Sequence, residues 1–115
     1  MPRFSICVSS YNDAEFLPAC IDSVLNQSFS DFELIIVDDG SPDDTASIIN
    51  SYAMRDARIV PIIKQVNEGV HLGRKSAVAK CSGDLVILLD SDDELGDPLL
   101  LEKLYGSSLG HPADI

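Results

Sequence analysis

Basic residues are scarce in this chain. Its 8 Lys and Arg stand against 19 Asp and Glu, a formal net charge of −11. A nucleic-acid backbone or an anionic membrane is therefore a poor partner, and any anionic ligand must be met by local donors. Long apolar runs are missing as well. Stretches such as Leu85–Leu89 fall far short of the roughly 20 residues that cross a bilayer, and no basic start leads into an apolar signal segment. Cysteine is sparse and unpaired by spacing: Cys7, Cys20 and Cys81 are odd in number and form no C-x-x-C. That excludes the common zinc and dithiol motifs and indicates buried thiols in a reducing compartment. His71 and His111 have no i, i+4 partner and make no metal-ligand pair. Neither G-x-x-x-x-G-K-[ST] nor a G-x-G-x-x-G after the first apolar run occurs, and the G-x-S-x-G at Gly106–Gly110 follows a helical stretch and not a strand, so it forms no nucleophile elbow; P-loop, dinucleotide-binding and serine-hydrolase chemistry lose their support.

What remains is an ordinary globular composition, 45% hydrophobic and 23% charged over 115 residues, enough for one domain spanning residues 1–115. Short apolar runs alternate with amphipathic segments. Phe4–Ser10 reads as a strand, and a helix follows in which Asn12 and Glu15 have capping-box spacing and Leu17, Ile21, Val24 and Leu25 share a face as far as about Gln27. Phe32–Val37 is a second strand ending in Asp38-Asp39-Gly40. Ser41 then caps a second helix with Pro42 at its first position and Ile48, Ile49, Tyr52 and Ala53 on its apolar face. A third strand over about 58–64, a third helix over 71–80, a fourth strand over 85–89 and a fourth helix from Asp97-Pro98 to Tyr105 complete the pattern, and 113–115 resembles the opening of a fifth strand. Successive βα units predict an α/β fold with a mainly parallel sheet flanked by helices on both faces. The near-continuous apolar runs FELIIV and LVILL predict strands covered on both sides.

In such a sheet, ligands bind beyond the carboxyl ends of the strands. The polar residues gather there: Ser9-Ser10-Tyr11-Asn12, Asp38-Asp39-Gly40-Ser41 and Asp90-Ser91-Asp92-Asp93-Glu94. Clustered carboxylates repel unless a cation joins them, and hard oxygen donors suit Mg²⁺ or Mn²⁺ with phosphate oxygens completing the shell. Asp90 and Asp92, two apart on an extended segment, would project to one side. Acidic loops also serve as solvated turns and helix caps, so DSDDE by itself admits both readings. Lys and Arg are absent between Phe4 and Met54, whereas Arg74 and Lys75 fall in the first turns of the third helix. They can meet a diphosphate or form a solvated face.

CVSSYN, SVLNQSFSDFELIIVDDGSPDDT, NEGVHLGRKSAVAKCSGD and LDSDDE, in that order, resemble the N-terminal, nucleotide-binding half of family 2 glycosyltransferases, the large inverting group with the Rossmann-like GT-A fold. Gly73-Arg74-Lys75 replaces the family's A-R-N triplet but retains the arginine, and Ser9-Ser10 replaces the usual Pro-Thr. The resemblance implies that Ser9, Tyr11 and Asp39 border the base, usually uracil, with Asp39 accepting from the ring N–H. It places Arg74 near the base or diphosphate, Asp90 at the ribose and Asp92 on the divalent metal, with Asp93 as the alternative ligand.

The implied reaction moves a sugar from a nucleoside diphosphate to an acceptor hydroxyl with inversion. The metal acts as Lewis acid on the departing diphosphate, and a carboxylate base deprotonates the acceptor. In the family that base lies in the acceptor-binding half, beyond Ile115, so no catalytic residue is expected in this chain, and little transfer by it alone. The partners implied are a nucleotide-sugar donor, in the full enzyme a saccharide or lipid-linked acceptor, and a second copy through the uncovered edge. The expected location is cytoplasmic, or the cytoplasmic face of the membrane in a full-length protein. Two other classes stay open: a non-catalytic nucleotide-binding or interaction domain, and a metal-dependent nucleotidyltransferase. The latter would place a glycine-rich basic loop where this chain has SSYNDAEF.

Overall fold

The computed structural model describes residues 2–110. Four strands and four helices alternate: β1 (Phe4–Ser10), α1 (Leu17–Leu25), β2 (Phe32–Asp38), α2 (Thr45–Arg55), β3 (Ile59–Ile63), α3 (Val70–Ala79), β4 (Leu85–Asp90) and α4 (Leu100–Gly110). The strands form one parallel sheet in the order β3-β2-β1-β4. Chain direction across the sheet reverses between β1 and β4, and this switch point opens a crevice at their carboxyl ends. Strand register places Ser9 opposite Asp90 and Ser10 opposite Asp38. The expected fifth strand at 113–115 lies outside the described residues.

Alternation along the strands builds two cores. On one face Phe4, Ile6, Val8, Leu34 and Ile36 meet Leu17, Cys20, Ile21 and Val24 of α1, Ile49 of α2 and Leu101 of α4. The α1 residues recur at i, i+3, i+4 and i+7, the stripe an amphipathic helix must bury. On the other face Cys7, Ile35 and Val37 meet Ala77 of α3. Gln27, nearly buried, joins α1 to α4: its amide nitrogen donates to the Asp97 carbonyl at 2.8 Å and its amide oxygen accepts the Leu101 N–H at 3.0 Å.

Three expectations from sequence change here. LVILL is not covered on both sides. Ile87 and Leu89 pack on the first core, but Val86 and Leu88 are exposed, because α3 packs mainly over β1 and β2 and leaves these two edge-strand side chains uncovered. Helix α1 starts at Leu17, without the Asn12–Glu15 capping box: Asn12 takes φ 56°, and the Asp13 carbonyl accepts the Phe16 and Leu17 N–H groups. Helix α2 starts at Thr45, not after Ser41. Ser41 is drawn to other partners, donating its N–H to Asp38 and accepting the Asn12 N–H on its hydroxyl.

Candidate functional site

A cleft of about 340 Å³ opens at the switch point, lined by the ends of β1 and β4 and the loop before α3. Ser9, Tyr11, Asp39, Asp90 and Asp92, all predicted from sequence, line it. The Tyr11 ring is about half exposed and offers an apolar face beside these polar groups. Asp13, Asn67 and Gly69 also line the cleft, and sequence reasoning passed over them.

Asp39 is buried, and its carboxylate is already engaged. Its two oxygens accept the N–H groups of Glu68 and Gly69, each at 2.8 Å, tying the loop before α3 to the end of β2. The neighbouring Gly40 has φ 73°, and a Cβ there would stand 2.7 Å from the backbone of Val66 and Asn67. Only glycine fits this crossing of two loops. Asp38 is also buried and accepts the Ser41 N–H at 3.0 Å, so it orients its own loop and does not line the cleft.

Strand β4 ends at Asp90, and the chain turns at once, with the Asp93 N–H donating to the Asp90 carbonyl at 3.0 Å. The expected extended Asp90–Asp92 segment is therefore a turn. Its consequence is tighter convergence: carboxylate oxygens of Asp90, Asp92 and Asp93 come within 4.8 Å of one another, all exposed. In water each such pair of charges costs about 0.9 kcal/mol at that distance. The guanidinium of Arg74 on α3 relieves part of this repulsion by donating to Asp90 at 2.8 Å. Arg74 thus joins the predicted set through Asp90. Asp93 joins it through the carboxylate cluster, although it does not line the cleft.

The negative field reaches the core. Burial first, and then the charges of Asp93, Glu94, Asp92 and Asp13, push the Cys20 thiol up to about 12. A hard divalent cation bound by the three carboxylates would relieve their repulsion, and an oxygen-only donor set suits Mg²⁺ or Mn²⁺ better than a soft metal. The residues fit the implied metal. Helix α3 comes close to β1 because position 73 is glycine: a Cβ there would lie 2.2 Å from the Ser9 hydroxyl oxygen. That close approach carries Arg74 to the rim.

The sequence matches the profile described as Glycosyl transferase family 2 over residues 5–115. It is 42% identical over 93 residues to the uncharacterized glycosyltransferase EpsJ of Bacillus subtilis, covering 81% of this chain and 27% of that protein. It is 37% identical over 115 residues to a PGL/p-HBAD biosynthesis glycosyltransferase of Mycobacterium bovis, covering 99% of this chain and 45% of the other. The chain thus spans less than half the length of these relatives. Among solved structures, S. aureus TarS 1-349 in complex with UDP-GlcNAc superposes with a TM-score of 0.88 at 27% identity, over 96% of this chain and 32% of that one. No helix among the described residues is long and apolar enough to cross a membrane. The ordered motifs, the sheet order and these likenesses agree, and the chain belongs to glycosyl transferase family 2.

Proposed function

We propose that this chain is the donor-binding part of an inverting, metal-assisted glycosyltransferase that takes a UDP-sugar. The observation that carries the reading is the cleft at the β1/β4 switch point, lined by an exposed aromatic ring, a buried carboxylate, and Asp90 and Asp92, two of the three converging carboxylates. The likeness to TarS, whose structure holds UDP-GlcNAc, supports uridine as the nucleoside.

Tyr11 offers its ring to the base, and Ser9 borders the same end. Asp39 accepts the base N–H on lone pairs that the two loop amides leave available, since each carboxylate oxygen can accept more than one hydrogen bond. Asp90, beside Ser9 in register, faces the ribose, and Arg74 stands across Asp90 to meet the diphosphate. Asp92, with Asp93 beside it, would hold the divalent metal, which when bound supplies Lewis-acid stabilisation of the departing diphosphate. The base that takes the acceptor proton belongs to sequence beyond Ile115, and the saccharide or lipid-linked acceptor is bound there too. The chain alone accordingly binds donor and transfers little.

Calorimetric titration with UDP, with and without Mn²⁺, tests the reading. Wild type should bind only weakly without the metal, and Asp92→Ala should lose the metal-dependent gain while keeping its fold by circular dichroism. Equal binding by Asp92→Ala, or none by folded wild type, would overturn it.

A further inference from the structure

Asp13 has no role in the donor site as read above, yet it stands where the first loop meets the acidic turn. Its carbonyl accepts the Phe16 and Leu17 N–H groups at 3.0 and 2.9 Å, which holds this residue at the entrance to α1. Its carboxylate lines the cleft and accepts the hydroxyl of Ser91. Ser91 is the middle residue of Asp90-Ser91-Asp92 and is buried, whereas Asp90, Asp92 and Asp93 around it are exposed. The turn is thus moored at its centre by the buried Ser91 side chain on Asp13, while Arg74 holds its start at Asp90 and the Leu95 N–H, donating to the Ser23 hydroxyl, holds the chain beyond it. Without the central bond, repulsion among the three carboxylates favours a more open turn.

We propose that Asp13 is a positioning residue. Its hydrogen bond to Ser91 holds the three carboxylates in convergent geometry before any cation arrives. Groups that orient ligating carboxylates in this way typically contribute ten- to a hundredfold to metal affinity. The metal-binding consequence rests on the donor-site reading, whereas the geometry of the free turn does not. Asp13 also brings a negative charge to the same wall, and three substitutions separate charge from hydrogen bond. Asp13→Asn keeps an acceptor oxygen and removes the charge. Ser91→Ala removes the hydrogen bond and keeps the charge. Asp13→Ala removes both.

Two measurements on the whole chain decide the matter: deuterium exchange of peptides covering residues 90–95 without metal, and UDP titration in Mn²⁺. Exchange should accelerate in Ser91→Ala and Asp13→Ala and stay near wild type in Asp13→Asn. Mn²⁺-dependent UDP binding should weaken about tenfold in the first two. The double variant Asp13→Ala/Ser91→Ala should be no worse than either single one, the mark of one shared interaction. Should Asp13→Ala fail to fold, Ser91→Ala carries the test. Unchanged exchange in Ser91→Ala would overturn the proposal. So would equal weakening by Asp13→Asn and Asp13→Ala with Ser91→Ala at wild-type affinity, because charge would then be the cause. If wild type shows no Mn²⁺-dependent binding, the donor-site reading fails, and the exchange data still decide whether Asp13 holds the turn.

Discussion

Replacing Asp39 by alanine should cost stability as well as donor affinity, and the structure sets the size of the loss. The side chain is buried and accepts two amide N–H groups at 2.8 Å. Gly69 has a second acceptor in the Asn67 side chain at 3.0 Å, so its N–H survives the substitution partnered. Glu68 keeps no such alternative for its N–H among the bonds of the described residues, although its residue is exposed and water can reach it. One charge-assisted bond lost outright and one weakened come to about 2 kcal/mol. A domain of this length holds roughly 6–17 kcal/mol in all, and ~2 kcal/mol lowers Tm by about 8 °C. Asp39→Asn keeps one acceptor oxygen but turns an NH₂ toward an N–H, so it should fall between wild type and alanine. Scanning calorimetry, with urea denaturation as a second readout, measures both. A Tm within about 2 °C of wild type for Asp39→Ala would refute the claim that this carboxylate ties the two loops together.

Glu33 is nearly at the opposite end of the sheet and gives a pH signature. Burial pulls its carboxyl upward, but hydrogen bonds from Ser5, Ser82 and Gly83 outweigh that, and the value lies below the ordinary glutamate value. A depressed carboxylate stabilises above its unfolded value of about 4.3 and loses that contribution as pH falls through the lower folded value. Urea midpoints of Glu33→Gln should therefore depend less on pH below about 4.3 than those of wild type, and parallel curves would count against it. At position 73, alanine gains about 1 kcal/mol in helix propensity but places its Cβ 2.2 Å from the Ser9 hydroxyl oxygen. Turning the Ser9 hydroxyl away relieves that contact and leaves the Ser9 Cβ at 3.3 Å, so the two effects nearly cancel: Gly73→Ala should stay within about 1 kcal/mol of wild type and be more favourable in Ser9→Ala, as denaturation of the four proteins would show. Cys7 and Cys20 are each pushed to about 12, first by burial, then by the Cys81 thiol at 3.2 Å for Cys7 and by the acidic residues for Cys20. Thiol titration of native protein at neutral pH should label Cys81 first, with the other two reacting only on unfolding. Rapid labelling of all three would contradict the burial argument.

The alternation of apolar runs and helical stripes made the βα order legible, because those periods follow directly from which face is buried. The exposure of Val86 and Leu88 was not legible, since an apolar run reads the same in a central strand and at an edge left uncovered by its helix. Helix starts were misplaced for a related reason. Asn12 and Ser41 have the chemistry of helix caps, but the Asn12 N–H and Ser41 hydroxyl bond to each other across 29 positions. Local spacing cannot report such a bond. Asp38 and Asp39 are adjacent and both buried, and their partners together with the cleft lining separate them into a loop support and a cleft wall. Asp13 escaped notice because its partner lies 78 residues away, and the cue available was its place directly after a strand end that lines the switch point.

The bonds joining the cleft's loops have a consequence for binding thermodynamics. Asn12 to Ser41, Ala14 to Asp43, Asp39 to Glu68 and Gly69, and Ser91 to Asp13 connect loops from four different βα units. The rim is ordered when the sheet folds, so the entropy of fixing it is charged to folding and not to ligand capture. A ligand meeting such a rim has little backbone left to organise. Affinity in this part of the protein is then governed by the complementarity of what the rim presents, and a change that loosens one loop propagates as weaker binding even where the altered residue never touches the ligand.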